Sequence, residues 1–347
     1  MSAGFADNGH EVVLTTLWYS DDEYETDKRV RRVNVGLTDD ESSKGRLYRI
    51  WARFAKLRKC IKNEKPDLVI SFCNKANFRS AYALFGIKIP LLVSVRNDPN
   101  KDYRPYKLST WYMGHKASGC VFQTPDAMNF FSRELQKKGR IILNPLSEQY
   151  FNRSVLSCAG GRRKEIVTVG RITEQKNQIL LVKAFNEIKE KYPDHILKIY
   201  GGIEQKNIFS EMEAYINDNF LNDRVMFMGV SDRIPDDISQ SALFVLPSDY
   251  EGMPNALIEA MSLGLACIAT DCPCGGAAML IEDKISGLLV PTGSVVQLAD
   301  AIDYMLSHED EAARMGAEAG KLAARVEPHK IVAKWLEFID GILAKKH

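Results

Sequence analysis

Two carboxylates, Glu251 and Glu259, enclose the run Gly252-Met253-Pro254-Asn255-Ala256-Leu257-Ile258. Gly and Pro place Glu251 in a loop. Asn255 is a residue type that caps helices, so Glu259 falls on the first turns of the helix that follows. The first amides of a helix have no intrahelical acceptor, and those of Asn255, Ala256 and Leu257 would therefore face an anion. A carboxylate at Glu259 can accept from both hydroxyls of a ribose. That order suits a charged, hydroxyl-rich ligand such as a sugar nucleotide. The blander reading makes Glu259 a surface acid favoured by the helix dipole.

A second constellation lies upstream. An apolar run ends in Gly170-Arg171, and Lys176-Asn177 open the next helical stretch. In open α/β sheets ligands bind outside the carboxyl ends of the strands. Arg171 and Lys176 can then reach one phosphate cluster, the first as a planar fork and the second as a point charge, and together neutralise a diphosphate leaving group. Taken alone, the same spacing also describes two solvated surface cations.

The elements that must position these residues read as strands alternating with helices. Strands are expected at Val12–Leu17, Asp67–Phe72, Pro90–Val95, Gly119–Gln123 and Arg140–Leu143, then at Glu165–Val169, Ile196–Tyr200, Val225–Met228, Ala242–Leu246, Ala266–Thr270 and Gly287–Val290. Helices are expected at Gly45–Asn63, Asn77–Phe85 and Pro125–Lys137, then at Lys176–Lys191, Phe209–Phe220, Asn255–Ser262, Val295–Ser307 and Glu309–Ala324. Alternation of this kind builds parallel sheets covered by helices, whose buried strands read as continuous apolar runs. The Ser-, Gly- and Arg-rich stretch Asn152–Lys164 interrupts the pattern and reads as a linker. The expected architecture is α/β, with two Rossmann-like domains facing a cleft. Residues 1–150 form the first, 151–327 the second, and a helix over 328–347 packs back on the first through Ile331, Trp335, Phe338 and Leu343. The chain begins unusually: Ala6-Asp7-Asn8-Gly9 reads as a helix end and its Gly cap ahead of the first strand.

Composition narrows the classes. The 347 residues carry a net charge of +1 with 45% hydrophobic and 26% charged residues, the profile of a globular protein. Residues 1–150 hold 25 Lys and Arg against 17 Asp and Glu, so the excess of positive charge sits in the first half. A basic half can bind phosphates, anionic headgroups or nucleic acid, or simply be a solvated face. No apolar run approaches the ~18 residues of a membrane span, and no signal pattern opens the chain, which points to the cytoplasm. Of seven cysteines, Cys272 and Cys274 make only a C-x-C with no second pair to complete a zinc site, and the six histidines show no metal or triad spacing. No metal site is expected.

Gly170-Arg171-x4-Lys176-Asn177 together with Glu251-x7-Glu259 resembles the retaining glycosyltransferases of family four, which have the GT-B fold. Val121-Phe-Gln-Thr-Pro-Asp126, Asn144-Pro145, Gly201-Gly202, Thr270-Asp-Cys-Pro-Cys-Gly-Gly276 and Gly287-Leu-Leu-Val-Pro291 extend the resemblance over nearly the whole chain. It is similar to the bacterial branch that builds capsular, exopolysaccharide or lipid-linked oligosaccharide chains. The resemblance implies that Gly170, Arg171 and Lys176 meet the donor diphosphate, Glu259 the ribose and Glu251 the transferred sugar. It also implies that the amides at Asn255, Ala256 and Leu257 line the site and that Val230 touches the nucleobase. It further implies retaining, metal-independent transfer of a hexose or N-acetylhexosamine from a nucleotide sugar, most simply a UDP-sugar. The acceptor would be a glycan or polyprenyl-linked glycan held by the basic first domain, with peripheral contact to an anionic membrane. No cofactor beyond the donor and no nucleic acid is implied.

Two departures accompany the resemblance. Family members open with a strand and a Gly-Gly loop that touches the donor diphosphate, and this chain starts downstream of both. A truncated, non-catalytic remnant that still binds nucleotide is the alternative reading. The family often carries a His after the strand at Pro90–Val95, where this chain has Arg96-Asn97, and either of these could lie near the sugar or serve the loop. A nicotinamide dehydrogenase would need G-x-G-x-x-G after a strand, which is absent in that context. The basic half likewise lacks a recognised nucleic-acid module.

Overall fold

The computed structural model describes residues 1–18, 25–151 and 161–346. The chain divides into two compact units, Met1–Pro145 with Pro328–His347, and Leu146–Glu327. The first unit thus ends before residue 150. Leu146 already belongs to the second, where its amide donates to the Val326 carbonyl (2.9 Å) and Tyr150 is buried. Of the linker expected over Asn152–Lys164, residues 152–160 lie outside the described residues, and Arg163 and Lys164 already form a strand.

The first unit opens with α1 (Ser2–Asp7), closed at Asn8 and Gly9 as its sequence signals. Strands β1 (Val12–Thr16) and β2 (Val30–Asn34) pair in parallel as one sheet. A second parallel sheet has the order β3 (Val69–Phe72), β4 (Leu91–Ser94), β5 (Gly119–Phe122), β6 (Gly139–Ile141). Around these sheets lie α2 (Arg46–Glu64), α3 (Asn74–Ala83) and α4 (Lys107–Lys116). β4 and β5 are buried along their whole length, as continuous apolar strands must be. The expected helix Pro125–Lys137 is instead two short ones, Pro125–Asn129 and Arg133–Lys137, because Ser132 restarts the helix by accepting from the Leu135 amide. β2 and α4 escape the periodicity reading. Arg31 and Arg32 break the apolar run of β2, and Tyr, Trp and Gly blur the face of α4.

The second unit is one six-stranded parallel sheet of order β12-β11-β10-β7-β8-β9. Its strands are β7 (Arg163–Val169), β8 (Ile196–Tyr200), β9 (Val225–Gly229), β10 (Ser241–Leu246), β11 (Ala266–Asp271) and β12 (Leu288–Pro291). Ile166, Leu197, Leu243, Val245 and Ile268 join Leu181, Phe185 and Ile302 in one core, so helices cover this sheet through the apolar faces their periodicity shows. α5 (Gln178–Ile188) and α6 (Asn255–Ser262) follow β7 and β10, and both start at the carboxyl end of a strand.

After residue 327 the chain rejoins the first unit as α7 (Pro328–Leu343). Trp335 is buried with its ring centroid 5.6 Å from that of Phe72, and Ile342 approaches Gly119. No helix among the described residues is long and apolar enough to cross a membrane.

Candidate active site

The loops after β7 and β10 are stitched into one corner of the second unit. The Asn177 amide group donates to Asp249 (2.8 Å), the Asp249 backbone N–H to the Gln175 carbonyl (2.9 Å), and the Gln175 side chain to the Tyr250 carbonyl (2.9 Å). Strand adjacency explains the meeting: β7 and β10 are hydrogen-bonded neighbours, so residues distant in sequence leave the sheet side by side. Asn177 sits in the left-handed region (φ 45°), a conformation Asn tolerates, and this turns the chain from a short 3₁₀ segment into α5. The expected helix start at Lys176 is therefore displaced, with α5 proper beginning at Gln178.

Lys176 and Glu251 occupy the centre of this corner. Lys176 Nζ lies 2.5 Å from Glu251 Oε1, with side-chain exposures of 17% and 7%. Ser248 Oγ donates to the same oxygen at 2.7 Å. The Glu251 backbone is pinned as well: its N–H donates to the Pro273 carbonyl (2.8 Å) and its carbonyl accepts from the Cys274 N–H (3.1 Å). A buried carboxylate is stable only when paired and hydrogen-bonded, and here both conditions hold. The ammonium has three protons, so one can serve Glu251 while the others remain for a phosphate.

Arg171 differs. Its guanidinium pairs with Glu204, and both side chains are largely exposed at 65% and 51%. The Gln178 side chain holds the backbone beneath it, donating to the carbonyls of Gly170 (3.2 Å) and Arg171 (2.9 Å). Gly170 and Gly201 sit against each other, the Gly170 N–H donating to the Tyr200 carbonyl (2.9 Å). A Cβ on Gly201 would stand 2.1 Å from the Gly170 carbonyl oxygen, and φ is +138° there, so only glycine fits. Val230 is 79% exposed, and a Cβ on Gly202 would stand 3.5 Å from its Cγ2.

α6 departs from expectation at its start. Pro254 is the N-cap and Asn255 the first helical residue, so the Asn255 side chain does not cap the helix. Proline's fixed φ already directs the chain into the helix one residue earlier. Leu257 is fully buried and its amide donates to the Pro254 carbonyl (3.2 Å), which removes it from the expected set of anion-facing amides. Asn255 and Ala256 remain at the open first turn. Glu259 shares the outward stripe with Asn255, while Leu257, Ile258, Ala260 and Met261 turn inward. Burial pushes the Glu259 carboxyl above the usual carboxylate range, partly offset by a hydrogen bond from Tyr150.

Tyr150 and Ser248 went unread in the sequence, and so did Glu204. Ser248 carries a local signal, a hydroxyl at a strand end three residues before Glu251. Tyr150 and Glu204 are brought by the fold and carry none. Cys272 and Cys274 are buried, and burial pushes the Cys272 thiol up to about 12, so Cys272 is not a ready thiolate. Cys158 lies outside the described residues. In the first unit, Arg96 lies beneath the Phe72 ring (5.6 Å), and burial lowers its pKa.

Comparison with known proteins covers both units. The family model described as "Glycosyltransferase Family 4" matches residues 1–146, and that described as "Glycosyl transferases group 1" matches residues 159–322. An uncharacterized glycosyltransferase of Methanocaldococcus jannaschii is 29% identical, over 88% of this chain and 87% of its own length. An α-1,4-N-acetylgalactosaminyltransferase of Campylobacter jejuni, named for a substrate carried on diphospho-undecaprenol, is 23% identical over 96% of this chain and 91% of its own. Among solved structures, Anabaena HepE in complex with UDP-glucose superposes with a TM-score of 0.76 at 18% identity, covering 90% of this chain and 86% of that one.

Proposed function

This chain belongs to the family-four glycosyltransferases of the GT-B fold, and from that premise we propose that it is a retaining, metal-independent hexosyltransferase using a UDP-sugar. The acceptor we propose is a glycan on a polyprenyl diphosphate, at the inner face of a cell membrane, in surface polysaccharide synthesis. The Campylobacter relative, named for such a substrate and similar along nearly its whole length, supports this acceptor class. The UDP-glucose complex of Anabaena HepE supports the donor class.

One observation carries the donor reading: the Lys176–Glu251 pair, held by Ser248, stands where β7 and β10 end together. Lys176 keeps N–H groups for the donor's diphosphate, and Arg171 leaves its exposed partner Glu204 to join it. A solvent-exposed pair of that kind contributes only about 0–1 kcal/mol, so a diphosphate competes for Arg171 easily. Glu259 accepts from the ribose, the open turn at Asn255 and Ala256 faces phosphate, and Val230 lies against the base. Glu251 positions the transferred sugar through its second oxygen.

In the step itself the bond from the sugar's anomeric carbon to the diphosphate oxygen breaks. The acceptor hydroxyl bonds to that carbon on the same face, and its proton passes to the departing diphosphate. The negative charge developing on the leaving group is what Arg171 and Lys176 stabilise, and fixed charges aimed at developing charge are usually the largest catalytic contribution. Incubating the protein with a panel of uridine and non-uridine nucleotide sugars and a polyprenyl-diphosphate glycan, with product mass and the NMR coupling of the new anomeric proton as readouts, tests this reading. The expected product is one hexose or N-acetylhexosamine heavier, with the α-anomer retained. Transfer only from a non-uridine donor, or an inverted anomer, would overturn it.

A further inference from the structure

Two arginines of the first unit hold N–H groups out of water with no acceptor. Arg53 Nε on α2 and Arg79 Nη1 on α3 are both buried, and neither side chain makes a hydrogen bond or ion pair among the described residues. Cations at a surface need no protein partner, because water serves them. A buried N–H of a charged group has no such substitute, and native structures almost always supply an acceptor. The neighbours on α2 follow that rule. Lys56 pairs with Glu41 and donates to the Gly36 carbonyl (3.0 Å), and Arg58 donates to the carbonyls of Ala83 and Phe85 (2.6 and 2.7 Å).

The fold brings the two arginines together. Arg58 ties α2 to the end of α3, and Arg53 and Arg79 each lie about one turn before that tie on their own helix. Burial lowers the Arg79 pKa, and the nearby charge of Arg53 lowers it further. The two guanidiniums therefore repel each other, and no carboxylate among the described residues pairs with either. Trp18 forms a wall beside them. Its carbonyl accepts from the Asn34 side chain at the end of β2 (2.7 Å), which fixes the chain just past β1, and the Arg79 guanidinium lies over its ring at 4.8 Å. A guanidinium stacked on indole keeps its plane and presents its N–H edge sideways.

We infer that Arg53, Arg79 and Trp18 form a binding site for a phosphate-type oxyanion, phosphate or diphosphate, built from none of the residues of the donor corner. The chemistry selects the ligand. Guanidinium forks match phosphoryl oxygens two at a time, and one anion held by both forks cancels their repulsion and fills the empty N–H groups together. A carboxylate offers two oxygens in one plane and serves one fork, whereas the tetrahedron of a phosphate serves two. The anion can come as a free ion or as the diphosphate of the acceptor, and only the second source rests on the proposed function.

The test is calorimetric titration of inorganic pyrophosphate into the full chain at constant ionic strength, with the donor corner occupied by saturating UDP or disabled by Lys176→Met with Glu251→Met. Saturable binding is expected in both settings. Arg53→Gln with Arg79→Gln should weaken it at least tenfold, and Trp18→Leu severalfold. Without added anion the Arg53→Gln, Arg79→Gln protein should melt no lower than wild type, because it loses two charges that nothing neutralises. Pyrophosphate should raise the melting temperature of the wild type and not of that variant, since a ligand stabilises only the form that binds it. UDP affinity should be the same in both. A wild type that fails to bind UDP would count against the donor reading alone, because the Lys176→Met, Glu251→Met background needs no UDP. Transfer assays separate the two sources. A raised KM for the acceptor at unchanged kcat in Arg53→Gln, Arg79→Gln puts the acceptor's diphosphate on the site, and an unchanged KM with pyrophosphate binding lost assigns a free ion. Pyrophosphate bound as tightly by that variant as by wild type, or by neither, would overturn the inference. So would a variant that melts well below wild type without anion, since the arginines would then be neutralised within the fold.

Discussion

Lys176 and Arg171 leave the same loop of the second unit, yet their carboxylate partners sit in opposite surroundings. Lys176 and Glu251 are almost withdrawn from water and share a third partner, Ser248. Arg171 and Glu204 are more than half exposed and, among the described residues, share no third partner. The inner pair is part of the fold, because removing either charge strands the other in a poor solvent. The outer pair is a resting arrangement that a better anion can replace at little cost. In the proposed donor site one cation is preorganised and the other would close on the ligand, and the two should fail differently when altered.

The largest effect is expected at the inner pair. Lys176→Ala leaves Glu251 buried without its cation, which should destabilise the protein by about 3–5 kcal/mol. It should also lower kcat on the order of 10²- to 10³-fold. Thermal melts and initial rates measure the two together. Lys176→Met combined with Glu251→Met should restore much of the stability and none of the activity, since apolar side chains of similar volume replace a buried pair well. Unchanged melting of the single variant would mean that the inner pair is no more structural than the outer one.

Arg171→Ala is the counterpart. Transfer should drop by roughly ten- to a hundredfold while stability stays within about 0.5 kcal/mol of wild type, as exposed substitutions usually do. A melting loss as large as that of Lys176→Ala would erase the contrast.

Glu259→Gln should produce the smallest change, weakening UDP about tenfold with no loss of thermal stability. Burial raises this carboxyl's pKa in the folded chain, so the native state holds the proton more tightly than the unfolded chain does. Its contribution to stability is therefore present at acid pH and lost as pH rises through the raised value. The proposed ribose contact needs the carboxylate and runs the other way. UDP affinity should fall on acidification at a pH above the ordinary carboxylate range, and Glu259→Gln should lack that part of the pH dependence. An identical pH profile in the variant would remove Glu259 from the ribose.

Much of this was legible in the chain. The strands of the second unit announce themselves as continuous apolar runs, and the parallel sheets follow from strand–helix alternation. The two site segments were readable because their residue types and spacing match a family pattern, and β7 beside β10 turns that pattern into a corner. What the sequence concealed is of two kinds. Helix starts shifted where backbone geometry overrode capping preference: proline took the cap from Asn255, and Asn177 in the left-handed region delayed α5. Partners brought from a distance, Tyr150 to Glu259 and Glu204 to Arg171, left no local signal because only the tertiary fold sets those contacts. The excess of cations in the first unit was visible in the composition, but the packing of α2, α3 and α4 side by side needed the structure.

In the proposed function the corner formed by Arg171, Lys176, Glu251 and Glu259 binds the uridine diphosphate of the donor. Calorimetric titration of UDP into the wild type and into the folded Lys176→Met, Glu251→Met variant tests it most directly. Saturable heat is expected for the wild type, and at least a tenfold loss of affinity in the variant. A variant that binds UDP as the wild type does would contradict it, as would a folded wild type that gives no heat.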